Sequence, residues 1–184
     1  MKSLKSNLKE KIAFLKLKSG DSEAFGFFYD QYLGQIYRFI MMKVSDQQVA
    51  EDLTQDVFLK TWQHLVDQKS LSHFRAFIFR VARNVVIDHY RQSGKQNIPL
   101  EHISETVDEA VNIDKKLEIK VEVEQLLQIL QKLKPEYQEI LVLRFVEEMS
   151  FDEIAEILQK DKNNVRVTLH RALTKLKQLS EEKI

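Results

Sequence analysis

The chain has 184 residues, 43% hydrophobic and 30% charged, with 28 basic against 28 acidic side chains and a formal net charge of zero. That balance excludes a general polyanion-binding tail, so electrostatic recognition has to be regional. The absence of cysteine excludes disulfides and thiolate metal sites and suits a reducing, cytoplasmic setting.

Residues 1–20 form a basic extension carrying Lys2, Lys5, Lys9, Lys11, Lys16 and Lys18. The lysines interrupt its apolar residues, so no signal peptide is expected. No apolar run is long enough for membrane insertion. Four glycines and two prolines are too few for a strand-and-turn fold, and an all-α chain is expected.

The first block covers residues 21–92. Phe25, Phe28, Tyr29, Tyr32, Ile36 and Phe39 follow a helical period. A break at Ser45-Asp46 opens a second helix, Asp46–Leu65, with Val49, Leu53, Val57 and Phe58 as its apolar stripe. Its outer side is acidic, with Asp46, Glu51, Asp52 and Asp56 against Lys60. A third helix spans His73–Arg91. Phe74, Phe77, Ile78, Val81 and Val85 share one face, with Arg80, Arg83, Asn84, Ile87, Asp88 and Arg91 on the adjacent one. One surface thus favours phosphates and another a basic protein partner. The plainer account is intramolecular helix pairing, with Arg80 or Arg83 bridging an acidic neighbour.

Residues 93–116 lose the periodicity. Gly94 and Pro99 punctuate them, and Glu101, Glu105, Asp108, Glu109 and Asp114 make them an acidic linker. The second block, residues 117–184, holds the strongest signal. Pro135 to Glu156 carries Glu136, Glu139, Glu147, Glu148, Asp152, Glu153 and Glu156 against Arg144 alone. Lys160 to Lys177 carries Lys160, Lys162, Arg166, Arg171, Lys175 and Lys177 against Asp161 alone. Phe151–Leu158 reads as a short amphipathic helix capped by Ser150. Gln159–Asn163 is the turn, with Asp161 able to cap the next helix. That helix buries Val165, Leu169, Ala172, Leu176 and Leu179 and presents Arg166, Val167, His170, Arg171, Thr174 and Lys177. The pattern is a helix-turn-helix with a basic outer face, suited to the major groove. A surface helix merely solvated by its lysines is the plainer account, and the helix-turn-helix spacing argues against it.

No catalytic constellation emerges. His64, His73, His89, His102 and His170 form no metal-binding pair at helical spacing, and no glycine-rich phosphate loop exists. Glu147-Glu148 reads as a solvated corner. The chain is not expected to be an enzyme, and no cofactor is expected.

At these residues the chain resembles the extracytoplasmic-function group of sigma-70 family RNA polymerase sigma factors. Gly20-Asp21, Ala24-Phe25 and Glu51-Asp52-Leu53-Thr54-Gln55-Asp56-Val57-Phe58 resemble region 2, as do Phe74-Arg75-Ala76-Phe77-Ile78, Val81-Ala82-Arg83-Asn84, Asp88 and Arg91. Leu143-Arg144-Phe145, Met149 to Leu158 and Leu169-His170-Arg171-Ala172 resemble region 4. The order and spacing of these motifs across nearly the whole chain are more specific than any one of them.

The resemblance implies two small helical domains, a region 2 bundle and a region 4 helix-turn-helix, that bind core RNA polymerase and direct it to promoters. Glu51, Asp52, Leu53, Gln55, Asp56 and Phe58 would dock on the coiled coil of the largest polymerase subunit, with the flap as a second contact. Ser72, His73 and Phe74, at the end of the 67–74 loop, would melt and read the −10 element. Asn84, Asp88 and Arg91 would lie near that DNA, and Arg80 and Arg83 would hold phosphates. Among the −35 residues, Val167, His170 and Arg171 would face bases. Arg166 and the amides at Asn163 and Asn164 would meet phosphate, with Lys162 and Lys175 on the same DNA. An anti-sigma factor would hold the free protein in check.

The chain departs from the family at Gln159 and Lys160, where a glycine and an apolar residue are common. It departs again at Val167, usually small and polar, at Thr168, usually Arg, and at Phe77, usually Trp. The family's −35 preference is therefore not carried over. Two other readings stay open on the residues alone. A duplex-binding regulator would bind DNA tightly without polymerase, and a protein-only adaptor would show no salt-dependent DNA affinity.

Overall fold

The computed structural model describes residues 9, 12–17, 19, 21, 23–44, 46–66, 73–92 and 128–181. The linker at 93–116, the 67–72 part of the loop with Ser72, and the expected start of the second block at residue 117 lie outside them. The chain divides into two compact units, Met1–Gln96 and Asn97–Ile184. The fold is all-α, as composition requires.

In the first unit α1 (Ala24–Met41), α2 (Gln47–Val66) and α3 (Phe74–Gln92) pack on one another pairwise. The core is largely aromatic. Phe28 and Phe74 have ring centroids 4.0 Å apart, and Phe39 meets Phe79 edge-on at 5.3 Å. Phe28, Tyr32, Ile36, Phe39, Ile78 and Phe79 are all sealed from solvent, and each such side chain stabilises by about 1.5–3 kcal/mol. Asp46 opens α2 as expected, its Oδ1 accepting from the Val49 amide at 3.0 Å. The Tyr90 hydroxyl, near the end of α3, donates to the Lys43 carbonyl at 2.6 Å and ties that end to the α1–α2 corner.

The third helix buries more than one stripe. Ala76, Phe79, Ala82, Val86 and Tyr90 are buried beside the expected Phe74, Phe77, Ile78 and Val85. A helix touching two neighbours needs an apolar arc wider than one face.

In the second unit α4 (Pro135–Leu141) starts on Pro135, whose missing amide is harmless at a helix start. Gln138 is buried, and its Nε2 donates to the carbonyls of Leu130 (2.8 Å), Leu133 (2.9 Å) and Gln131 (3.3 Å). This side chain closes the end of the helical segment 128–131 together with the Lys132 and Leu133 amides, which donate to the Ile129 and Leu130 carbonyls. A π-helical turn, Val142–Val146, follows and exposes Phe145 and Val146. Glu147 closes it and is 3% exposed, while Glu148 has φ 51°. The solvated corner expected at Glu147-Glu148 is therefore wrong for Glu147, which the wider turn carries inward. Helix α5 (Phe151–Leu158) has a complete capping box. The Glu153 amide donates to Ser150 Oγ at 3.2 Å, and the Ser150 amide donates to Glu153 Oε2 at 2.8 Å. Helix α6 (Lys162–Glu181) packs on α4 and α5.

Candidate functional site

The helix-turn-helix is built from α5, a turn and α6. Ile154, Ile157 and Leu158 on α5 and Val165, Leu169 and Ala172 on α6 are buried, so each helix contributes one apolar stripe. Leu176 and Leu179, expected in the core, are only half-buried. The turn is shorter than expected, Gln159–Asp161 rather than Gln159–Asn163. Gln159 takes the left-handed conformation, φ 53° and ψ 44°, and the Lys160 amide reaches back to the Ala155 carbonyl at 3.0 Å. This is the position where the family often has glycine. Asp161 Oδ1 accepts from the Asn164 amide at 2.8 Å. The Asn164 amide expected to meet phosphate is therefore already satisfied by a carboxylate.

The outer face of α6 is as anticipated. Asn163, Asn164, Arg166, Val167, His170, Arg171, Thr174, Lys175 and Lys177 are exposed. Two basic residues around the turn are engaged internally. Lys160 pairs with Glu136, and Lys162 Nζ lies 2.8 Å from Asp152 Oδ2. Lys162 was expected on DNA, but the acidic start of α5 holds it, because segregated charges brought together by the turn neutralise each other first. Such exposed pairs are worth about 0–1 kcal/mol, so polyanion can displace them. Arg166 and Arg144 lie over the Phe151 ring, with guanidinium carbons 5.4 and 5.1 Å from its centroid. Arg144 also donates to the Met149 carbonyl at 2.6 Å.

The basic surface extends beyond α6. His170, Arg171, Thr174, Lys175 and Gln178 line an open groove of about 570 Å³ with Lys132, Lys134 and Tyr137. Sequence reading missed Lys132 and Lys134. They precede α4, far from α6 in sequence, and only the α4–α6 packing brings them together.

On the first unit the acidic face of α2 is real. Asp52, Gln55 and Asp56 are exposed and Glu51 and Leu53 half-buried. Gln47 and Gln48 donate to Glu51 and Asp52, and Lys60 lies 3.7 Å from Asp56. Phe58 corrects the expectation. It is 4% exposed and packs on Tyr29 and Phe25, with centroids at 4.7 and 6.4 Å. Leu59 is the exposed apolar residue beside the carboxylates, at 54%. One residue is 100° of helical rotation, and Leu59 stands seven residues, nearly two full turns, after Asp52.

Phe74 is likewise 4% exposed, against Phe28 and Tyr32. It anchors the start of α3 and presents no ring to DNA. His73 beside it is exposed. Arg80 lies over Phe77 at 5.4 Å, Arg83 is half-buried, Asn84 is exposed, and Asp88 and Arg91 pair at 3.1 Å. Among the described residues, no group of three or more His, Cys, Asp or Glu could hold a metal ion. No described helix is long and apolar enough to cross a membrane.

An aromatic three-helix unit with an acidic helix face, and a second unit carrying a capped helix-turn-helix with a basic face, define a two-module DNA-binding protein. Residues 28–96 match sigma-70 region 2, and residues 123–176 match sigma-70, region 4. The chain belongs to the sigma-70 family, in its extracytoplasmic-function group. It is similar to the RNA polymerase sigma factor YlaC of Bacillus subtilis, 32% identical over 151 residues covering 81% of this chain and 87% of YlaC. It is also similar to the ECF RNA polymerase sigma factor SigM of the same organism, 31% identical over 153 residues, 82% and 91% of the two chains. Against the ECF RNA polymerase sigma factor BldN of Streptomyces coelicolor it is 30% identical, the match covering 89% of this chain but 63% of BldN. The fold is also that of CnrH, solved in complex with the cytosolic domain of CnrY, with a TM-score of 0.67, 24% identity and coverage of 96% and 99%. It is shared by RpoE of Bartonella quintana, solved with the anti-sigma factor NepR, with a TM-score of 0.66, 20% identity and coverage of 85% and 96%.

Proposed function

We propose that the chain is a cytoplasmic transcription initiation factor rather than an enzyme, binding core RNA polymerase and selecting promoters through −10 and −35 contacts. Residues 21–92 act on polymerase and the −10 element, and residues 117–184 on the −35 element, with 93–116 as the link. The observation that carries the reading is the exposed basic face of α6 on a capped helix-turn-helix, in one chain with the acidic face of α2. The α2 carboxylates attract a basic polymerase surface, and Leu59 supplies the apolar contact beside them. Arg80, Arg83, Asn84 and His73 hold the melted −10 strand. Arg166 and Lys175 hold −35 phosphates, while Val167, His170 and Arg171 meet base edges. An anti-sigma factor restrains the free protein, a reading supported by the complex in which the similarly folded RpoE was solved.

The test is transcription with purified core polymerase on candidate promoters. Promoter-specific product is expected, and its absence with active core refutes the proposal. Arg171→Ala should lower −35-dependent initiation about 5- to 150-fold, the range of one bidentate base contact, with core binding unchanged. Asp52→Arg should instead weaken core-polymerase binding by charge reversal. Tight, specific duplex binding without polymerase would instead favour a conventional regulator.

A further inference from the structure

Two helical threonines in this molecule show what the backbone invites such a residue to do. Thr54 Oγ1 donates to the Ala50 carbonyl at 2.7 Å, and Thr174 Oγ1 to the His170 carbonyl at 3.0 Å. Both return the hydroxyl to the i−4 main chain, the ordinary local outcome. Thr168 does something else. Its Oγ1 donates to the side-chain Oδ1 of Asn164 at 3.2 Å. Thr168 is 7% exposed, held by the packing of α6, whereas Asn164 is exposed. A fixed buried hydroxyl therefore orients an exposed carboxamide.

The position of that carboxamide matters. Asn164, Val167 and Arg171 stand at i, i+3 and i+7 on the outer side of α6, all exposed. Residues in the first turns of a recognition helix are those that reach base edges. Asn164 cannot serve phosphate through its amide, because Asp161 Oδ1 already accepts from it. What remains is the side chain. An asparagine reads adenine by accepting from N6 with Oδ1 and donating to N7 with Nδ2. The Thr168 hydroxyl occupies one of the two Oδ1 lone pairs, leaving the other and both Nδ2 protons to the base.

We infer that Asn164 is a base-reading residue that selects an adenine in the −35 element, with Thr168 as its positioning residue. This rests on the promoter-selecting reading above and adds the base and the pair that reads it. Thr168 replaces the family's usual arginine, so the pair gives this chain a preference of its own. Ordering the carboxamide in advance spares rotamer entropy on binding.

The experiment is selection of −35 sequences from a randomised pool by the full chain with core polymerase. Wild type should enrich adenine at one position about 5- to 150-fold over other bases. Asn164→Ala should abolish that preference and leave the other positions as they were. Thr168→Val, which keeps shape and removes the hydroxyl, should weaken it several-fold, and Thr168→Ser should retain it. If Asn164→Ala selects the wild-type sequence with undiminished stringency, or loses stringency equally at every position, the inference is overturned. Thr168→Val that matches wild type at the adenine overturns the positioning role. A wild-type protein that selects no sequence fails the initiation-factor reading itself, a separate result.

Discussion

Gln159 gives the sharpest test of the recognition turn. Its φ of 53° puts an L side chain where Cβ crowds the following carbonyl, a penalty of about 1–2 kcal/mol. Gln159→Gly removes that penalty. It also frees the unfolded chain, which offsets about 0.4–1 kcal/mol. The net expectation is a stabilisation of about 0.5–1 kcal/mol. Gln159→Val keeps the Cβ and adds a branch that the left-handed region tolerates poorly, so it should destabilise by about 1–2 kcal/mol. With a urea slope near ~2 kcal/mol per M, the glycine variant should raise the midpoint by about 0.3–0.5 M and the valine variant lower it by more. Far-ultraviolet circular dichroism across a urea series reads both. The turn's backbone bonds to Ala155 survive in either variant, so the order of the three midpoints isolates conformational strain. A valine variant as stable as wild type, or a glycine variant less stable, would mean that Gln159 is not held left-handed.

Three other outcomes follow from the same reasoning. Tyr90→Phe leaves the buried Lys43 carbonyl without its 2.6 Å donor, and should cost about 1–2 kcal/mol, seen as a drop in Tm of several degrees. Ser150→Ala removes the cap of α5 and should cost about 1 kcal/mol. Combining it with Glu153→Ala should add less than the two losses separately, because both belong to one box. Gln138→Ala removes a side-chain donor from the carbonyls of Leu130, Gln131 and Leu133, of which Leu130 keeps the Leu133 amide, and should cost about 1–3 kcal/mol in urea titration. A neutral result there would mean that water takes over those carbonyls.

The sequence displayed its helices through their punctuation. Asp46, Ser150 and Asp161 all cap as read, because a cap is a local interaction within three residues; Glu153, which completes the box at Ser150, is added by the structure. The exposed face of α6 was legible for the same reason, since one apolar stripe fixes the opposite side. What failed was anything set by a neighbour distant in sequence. Phe58 and Phe74 were read as contact residues on resemblance, but α1 brings Phe25, Tyr29, Phe28 and Tyr32 against them. Leu59 was passed over because its exposure depends on where α1 and α3 press on α2. Lys162 could not be matched to Asp152, nor Lys132 and Lys134 to the recognition helix, without the turn and the α4–α6 contact. The π-helical register that carries Glu147 inward has no periodic signature.

The Gln138 carboxamide has a practical corollary for anyone wishing to graft the promoter-reading head onto another protein. Its partners are the carbonyls of Leu130, Gln131 and Leu133, upstream of α4. A fragment cut at Pro135 would begin at the first turn of α4 and still strand a buried amide with no acceptors. The smallest portable cassette therefore has to start before Leu130, several residues earlier than the proline invites.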